Sequence, residues 1–349
     1  MQVGPHQMRA LAYPRLVGSP RVGDRVILNA TALVKGLGTG GYAFVVAIPD
    51  RLPPDPDPGP GHIVKSRYTP LQAMVLAADE QDSPHHATLA EADDLGGLPV
   101  VVADLHSAVP AIVAGARWAR RRAGLPLPRV AYVMTDGAAL PLWFSRAVAG
   151  LRDAGWLTTT ITVGQAFGGD HEAVSVHSGL LTAARVVDAD LAVVAQGPGN
   201  AGTGTRFGFS GVAVGEALNA AVSLRGAPIA ALRVSGADPR GRHYGISHHS
   251  LTALTRVALR PVHVPVPDLG EEPGLGPVAE QVGTQLPALR AAGHRVYHYG
   301  VGGLREALGQ SPVPLATMGR GLEQDPAAFL AAAVAGVHVA GLAGGDQRG

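Results

Sequence analysis

The chain has no cysteine in 349 residues, which excludes disulfides, thiolate nucleophiles, iron–sulfur clusters and cysteine-ligated zinc. Any metal would have to rest on His, Asp, Glu or water. No run approaches the roughly eighteen apolar residues of a membrane span. "MQVGPHQMRALAYP" also lacks the charged stretch and apolar run of a secretory leader. A cytoplasmic location and no membrane partner are expected. Charge is scarce too: charged residues make up 16 % of the chain, and the formal net charge is +1. Bulk electrostatics therefore favour neither nucleic acid nor an anionic membrane surface, and the expected ligand is small.

Glycine and proline are plentiful, at 47 and 28 residues, beside 46 % hydrophobic residues. That composition gives a large core crossed by many loops and turns. The first part of the chain, "RALAYP", "GDRVILN", "YAFVVAIP" and "HIVKSRY", consists of short β-rich runs without a good helix. A small β-rich domain over residues 1–68 is expected, with the proline tract of residues 49–62 as an exposed loop. From residue 69 to 349 the rhythm changes. "LPVVVADLHS", "RVAYVMTDG", "TTTITVGQAFGGDHE", "DLAVVAQGPGN" and "APIAALRVSG" each precede an amphipathic or apolar helical stretch. Strands apolar on both faces that alternate with helices predict an α/β fold, a doubly wound, mostly parallel sheet with helices on both faces.

In such a sheet ligands bind outside the carboxyl ends of the strands. The loops leaving the strands carry nearly all the polar chemistry: "DLHS", "TDGAALP", "GQAFGGDHE", "QGPGNAGTGTRFGFS" and "SGADPRGRHYGISHHS". In the longest of them Gly197, Gly199, Gly202, Gly204, Gly208 and Gly211 would let backbone N–H groups approach an anion. Ser210 is the expected N-cap of the following helix, whose dipole would add to the attraction. Asn200, Thr203 and Thr205 would add donors, and Arg206, Arg240 and Arg242 positive charge. The loop matches neither a P-loop nor a clean dinucleotide fingerprint.

A second constellation is acidic and imidazole-bearing: Asp104, His106, Asp136, Asp170, His177, His248 and His249. Carboxylates beside imidazoles suit a general acid–base pair or a divalent metal bound by Asp and His. No diagnostic metal-ligand spacing occurs, so either role depends on the fold bringing these residues together. Asp104, Asp136 and Ser107 are equally suited to capping helices.

Taken together, "SRYTPLQAMVLAADEQDSPHH", "DDLGGLPVVVADLHSAVPAI", "AYVMTDGAALPLWFSRAV", "TVGQAFGGDHEAVSVHSGLL" and "RVSGADPRGRHYGISHHSLTAL" resemble a bacterial family of uncharacterised proteins, a domain of unknown function of the DUF3866 type. The resemblance spans most of the chain and brings no reaction with it. From the residues alone, the expected function is an enzyme acting on a small anionic or phosphorylated metabolite by hydrolysis or group transfer. The alternative is a nucleotide- or metabolite-sensing binding protein without turnover. A homo-oligomer is compatible with either.

Overall fold

A computed structural model of the chain describes residues 1–3, 6–37, 40–55 and 59–343. Positions 56–58 of the proline tract lie outside the described residues. Two compact units divide the chain, Met1–Leu76 and Ala77–Gly349. The first is β-rich. A three-stranded sheet places Ala43–Ala47 between Ala10–Leu11 and Ile27–Asn29, and separate hairpins pair Gln2–Val3 with His6–Gln7 and Ile63–Lys65 with Ala73–Val75. Among its described residues the helices are the single turns Pro14–Val17 and Thr31–Val34. The last hairpin carries this unit past the expected boundary at residue 68.

The second unit is built on one eight-stranded parallel sheet. Its strands are β1 (Pro99–Ala103), β2 (Val130–Thr135), β3 (Thr159–Thr162), β4 (His171–Glu172), β5 (Leu191–Gln196), β6 (Ala227–Ala231), β7 (His263–Pro267) and β8 (Arg295–Tyr299). They lie in the order β4-β3-β2-β5-β1-β6-β7-β8, every pair parallel. Val100, Val101 and Val102 of β1 are 0, 0 and 1 % exposed. Successive strand residues point to opposite faces, so both faces of the sheet are covered. Each such valine contributes about 1.5–3 kcal/mol relative to exposure.

The covering helices are α1 (Val109–Arg122), α2 (Arg146–Asp153), α3 (Val176–Arg185), α4 (Ala213–Ser223), α5 (His248–Thr252), α6 (Gly276–Ala291), α7 (Leu304–Gly309) and α8 (Pro326–Ala343). Helix α5 widens into a π-helical turn at Ala253–Val257. Helices α1 and α8 pack at unusually close range. A Cβ on Gly115 would stand 2.0 Å from the Ala333 carbonyl oxygen, and one on Gly336 would stand 1.9 Å from that of Ile112. Among the described residues no helix is long and apolar enough to cross a membrane.

One departure from the sequence reading concerns "TTTITVGQAFGGDHE". The stretch forms two strands instead of one, because the segment after β3 folds back along the sheet and starts again as β4, with Ile161 opposite His171. Asp170 therefore precedes a strand. It sits level with the early residues of β3, where its Oδ2 accepts from the Thr160 backbone N–H at 2.8 Å and the Thr160 hydroxyl at 2.9 Å, and pairs with Arg152. The expectation that Asp170 lies on the carboxyl edge is corrected by this reversal.

The strand order creates a switch point. From β1 the chain moves past β5 to β2, and from the neighbouring β6 it moves the other way to β7. The connections after β1 and β6 thus diverge and leave a crevice of the kind where ligands bind in open α/β sheets. Register makes the edge flush: Ala195 and Ala231 both pair with Ala103, and Met134 pairs with Ala195.

Candidate functional site

Asp104 follows the last residue of β1, directly at the switch point, with its side chain only 3 % exposed. A carboxylate so buried must be paired. Its Oδ2 accepts from Arg233 Nη1 at 3.1 Å and His249 Nδ1 at 3.0 Å, and its Oδ1 accepts from Asn200 Nδ2 at 2.9 Å. Its backbone carbonyl takes the Gln196 amide at 2.8 Å. Three strand ends and the α5 segment thereby meet on one group. Burial would raise the Asp104 carboxyl, but the His249 hydrogen bond and the Arg233 guanidinium outweigh it and hold the group below its ordinary value. Asp104 caps no helix; α1 begins at Val109 without a side-chain cap, and Ser107 donates to the Thr317 hydroxyl.

His249 Nδ1 stands 3.0 Å from Asp104 Oδ2 and 3.1 Å from Arg233 Nη1; the carboxylate is the stronger partner, so Nδ1–H donates to it, the guanidinium donates to Asp104 as well, and Nε2 is the ring nitrogen left over. The His249 ring stacks on Phe209 at 3.8 Å, nearly parallel. Beside it stand His248 and His243, with ring centres 4.4 and 5.0 Å from that of His249. One ring nitrogen of each of the three lies within 4.8 Å of the others. His243 Nδ1 meets Ser247 Oγ at 2.7 Å, and the buried Nε2 of His248 has no hydrogen-bond partner among the described residues. Burial, reinforced by neighbouring Arg233, pushes His243 down to about 3. Burial and the adjacent His249 push His248 down to about 4. Both rings are neutral near pH 7, with lone pairs available.

His248 also lines a cavity of about 450 Å³ whose wall carries Arg206, Arg242 and Arg256. These three arginines are exposed and form no ion pair among the described residues. The pocket is therefore cationic and uncompensated. Arg240 is not part of it, because both arms of its guanidinium are spent on Asp238 at 2.9 and 2.8 Å. That fork holds the Asp238 carboxyl well below the usual carboxylate range.

The glycine-rich loop is more closed than its sequence suggests. Thr203 N–H donates to Gly208 O at 2.7 Å, Ser210 N–H to Ala201 O at 2.9 Å, and Gly208 N–H to Thr205 Oγ1 at 3.1 Å. The Thr203 and Thr205 hydroxyls bond each other at 3.0 Å. Donors expected to face an anion are thus used to fold the loop; Gly199 and Gly204 turn it with positive φ, Gly197 lets the Ala139 carbonyl approach to 2.3 Å of where a Cβ would stand, and Gly202 pairs with Phe209 across it. Ser210 is not a helix cap; its hydroxyl donates to Asn200 Oδ1 at 3.0 Å and so orients the amide on Asp104. Gly211 has a specific task, because a Cβ there would lie 1.6 Å from Asp104 Oδ1.

The remaining sequence candidates stand apart from this centre. His106 bridges Tyr132 OH at 2.8 Å and Ser145 Oγ at 2.6 Å, with both ring nitrogens engaged; burial pushes it down to about 4. It lines a second cavity of about 300 Å³, together with Gln196, Gly197 and Asn200. Exposed Asp136 accepts the Gln165 backbone N–H at 2.8 Å and so ties the loops after β2 and β3. His177 is exposed on the first turn of α3.

A family model described as "Protein of unknown function (DUF3866)" matches residues 9–336. The chain belongs to that family. No curated protein and no solved structure matches it. The candidate site of this DUF3866 member includes three residues that sequence reasoning passed over: Arg233, His243 and Arg256. Arg233 had a signal, since it is the first charged residue after the apolar run of β6, as Asp104 is after β1. His243 had a weaker one, as the leading member of "HYGISHH".

Proposed function

We propose that this protein is an enzyme acting on a small anionic or phosphorylated metabolite by hydrolysis or group transfer. The observation that carries the reading is the uncompensated cavity of Arg206, Arg242 and Arg256, bordered by a neutral imidazole whose buried Nε2 is unsatisfied. Three guanidinium groups suit the dispersed negative charge of a phosphate or carboxylate. Nitrogen lone pairs beside a bound anion are what proton transfer or activation of water at pH 7 requires. The anion site has moved in this reading from the glycine backbone to the arginine side chains, and Asp104 serves to orient the imidazole cluster.

The test is a panel of phosphate monoesters, diesters and small carboxylate esters, followed for turnover with the wild type and Arg206→Ala/Arg242→Ala. A charge-assisted hydrogen bond is worth about 1.5–3 kcal/mol, so the double variant should raise KM by at least about tenfold. Ligands that bind the wild type without turnover, losing affinity in the variant, would favour a sensing protein. Turnover indifferent to both arginines would overturn the placement of the anion.

A further inference from the structure

We infer that the imidazoles of His243, His248 and His249 form a binding site for one divalent cation of the zinc class. The inference deepens the reading above by locating its reaction centre at the same cluster. The geometry is that of a three-nitrogen set: ring centres are 5.0, 5.0 and 4.4 Å apart. Zinc bonded to three imidazole nitrogens at about 2.0–2.1 Å with tetrahedral angles would place ring centres about 5 Å apart. The nitrogens are free in the right sense. His249 Nδ1 is held by Asp104 at 3.0 Å and His243 Nδ1 by Ser247 Oγ at 2.7 Å, which leaves Nε2 on each ring. The Nε2 of His248 is buried and unpartnered among the described residues.

That orphan nitrogen is the second, independent observation. Leaving a buried polar atom unmade costs about 1–3 kcal/mol, and a cation bonded to it removes the cost. The carboxylate behind His249 follows the outer-sphere rule for metal-bound imidazole, in which the other ring N–H donates to a carboxylate that fixes tautomer and orientation. Charge is consistent as well. Arg233 and Asp104 cancel, and a bound dication would keep its full charge next to the cavity that His248 shares with three arginines. Imidazole sets select zinc, cobalt, nickel or copper over magnesium and calcium.

The test uses the full chain stripped with chelator, with zinc ion alone as titrant and cobalt(II) as an optical stand-in. One equivalent should bind, and cobalt should give tetrahedral d–d bands. His248→Ala should lower zinc affinity by about a hundredfold or more, and Asp104→Asn by about 10–100-fold. His177→Ala, on an exposed helix turn remote from the cluster, should change nothing. His248 makes no hydrogen bond through Nε2, so its variant should keep the wild-type circular dichroism; His243→Gln is the second variant should it not. Substoichiometric zinc binding by the wild type, or affinity unchanged in His248→Ala, overturns the metal site. Zinc binding with no turnover on any ester sinks the proposed activity alone, and turnover in the stripped protein sinks the metal site alone.

Discussion

The most demanding prediction concerns Gly211→Ala. The added methyl would lie 1.6 Å from Asp104 Oδ1 and 2.6 Å from its Cγ. The pair must open by about 1.4 Å merely to reach the 3.0 Å below which real Cβ contacts essentially never occur. The carboxylate has nowhere to go, since Asn200, His249 and Arg233 hold it at 2.9, 3.0 and 3.1 Å. Displacing it would strip a buried ion pair, a loss of about 3–5 kcal/mol. Shifting the Gly211 backbone instead would cost about 1–3 kcal/mol of overpacking and drag Phe209 and Ser210 with it. The cheaper response sets the outcome, so the expected loss is about 1–3 kcal/mol. Urea unfolding followed by tryptophan fluorescence reads it cleanly, because Trp118, Trp143 and Trp156 all lie in the second unit. Gly241→Ala is the control. A Cβ there meets nothing within 4 Å, so its effect should stay within about 0.5 kcal/mol. A Gly211→Ala protein less than about 1 kcal/mol below wild type would refute the argument that the Asp104 knot is rigid.

Two further outcomes follow from the same structure. Gly283 sits on the exposed side of α6 with nothing within 4 Å of a Cβ, so Gly283→Ala should raise stability by about 0.5–1 kcal/mol, read from the urea midpoint at constant m. Stability should also fall on acidification. Burial holds His106 and His338 down to about 4 in the folded chain, whereas an unfolded histidine takes its proton near pH 6.5. Between these values the unfolded chain binds more protons. Stability is thus fully present above about pH 6.5 and declines towards pH 4, by up to about 1.4 kcal/mol per pH unit for each ring. His338→Gln should flatten that slope. An unchanged slope would mean that His338, wedged between His263 and Tyr299 at 2.7 and 2.6 Å, is already protonated in the native state.

The architecture was legible because its signal is repetitive. Val100–Val102, Val130–Met134 and Leu191–Ala195 are buried on both faces, and such runs followed by helices have few solutions besides a parallel sheet. The candidate cluster was legible only where a residue's place depends on its strand alone. Asp104, His248 and His249 were placed on one edge by the rule that ligands gather at the carboxyl ends of strands, and the structure brings the three side chains together. Asp170 was misplaced because the turn after β3 carries no helix, so the reversal that puts "GGDH" at the start of β4 leaves no periodic trace. The glycine loop misled for a related reason. Composition shows that N–H groups are sterically open, but which of them bond within the loop depends on Thr203, Thr205 and Gly208 meeting across it. Arg206 and Arg240 look alike in sequence; only the local fork to Asp238 shows that Arg240 is spent, while Arg206 forms no ion pair among the described residues.

The close crossing of Gly115 and Gly336 has a bearing on how the molecule is made. The partner of α1 is synthesised more than two hundred residues after it, which at a typical rate of 5–20 residues per second is a delay of roughly 10–45 s. Throughout that interval the flank of α1 that α8 will cover, with Ile112 and Ala116 on it, has no native cover. A nascent or truncated chain ending before Pro326 would expose this stripe together with β1 beneath it, the kind of unfinished apolar surface that holdase chaperones retain. Native cover for α1 thus waits on the synthesis of α8.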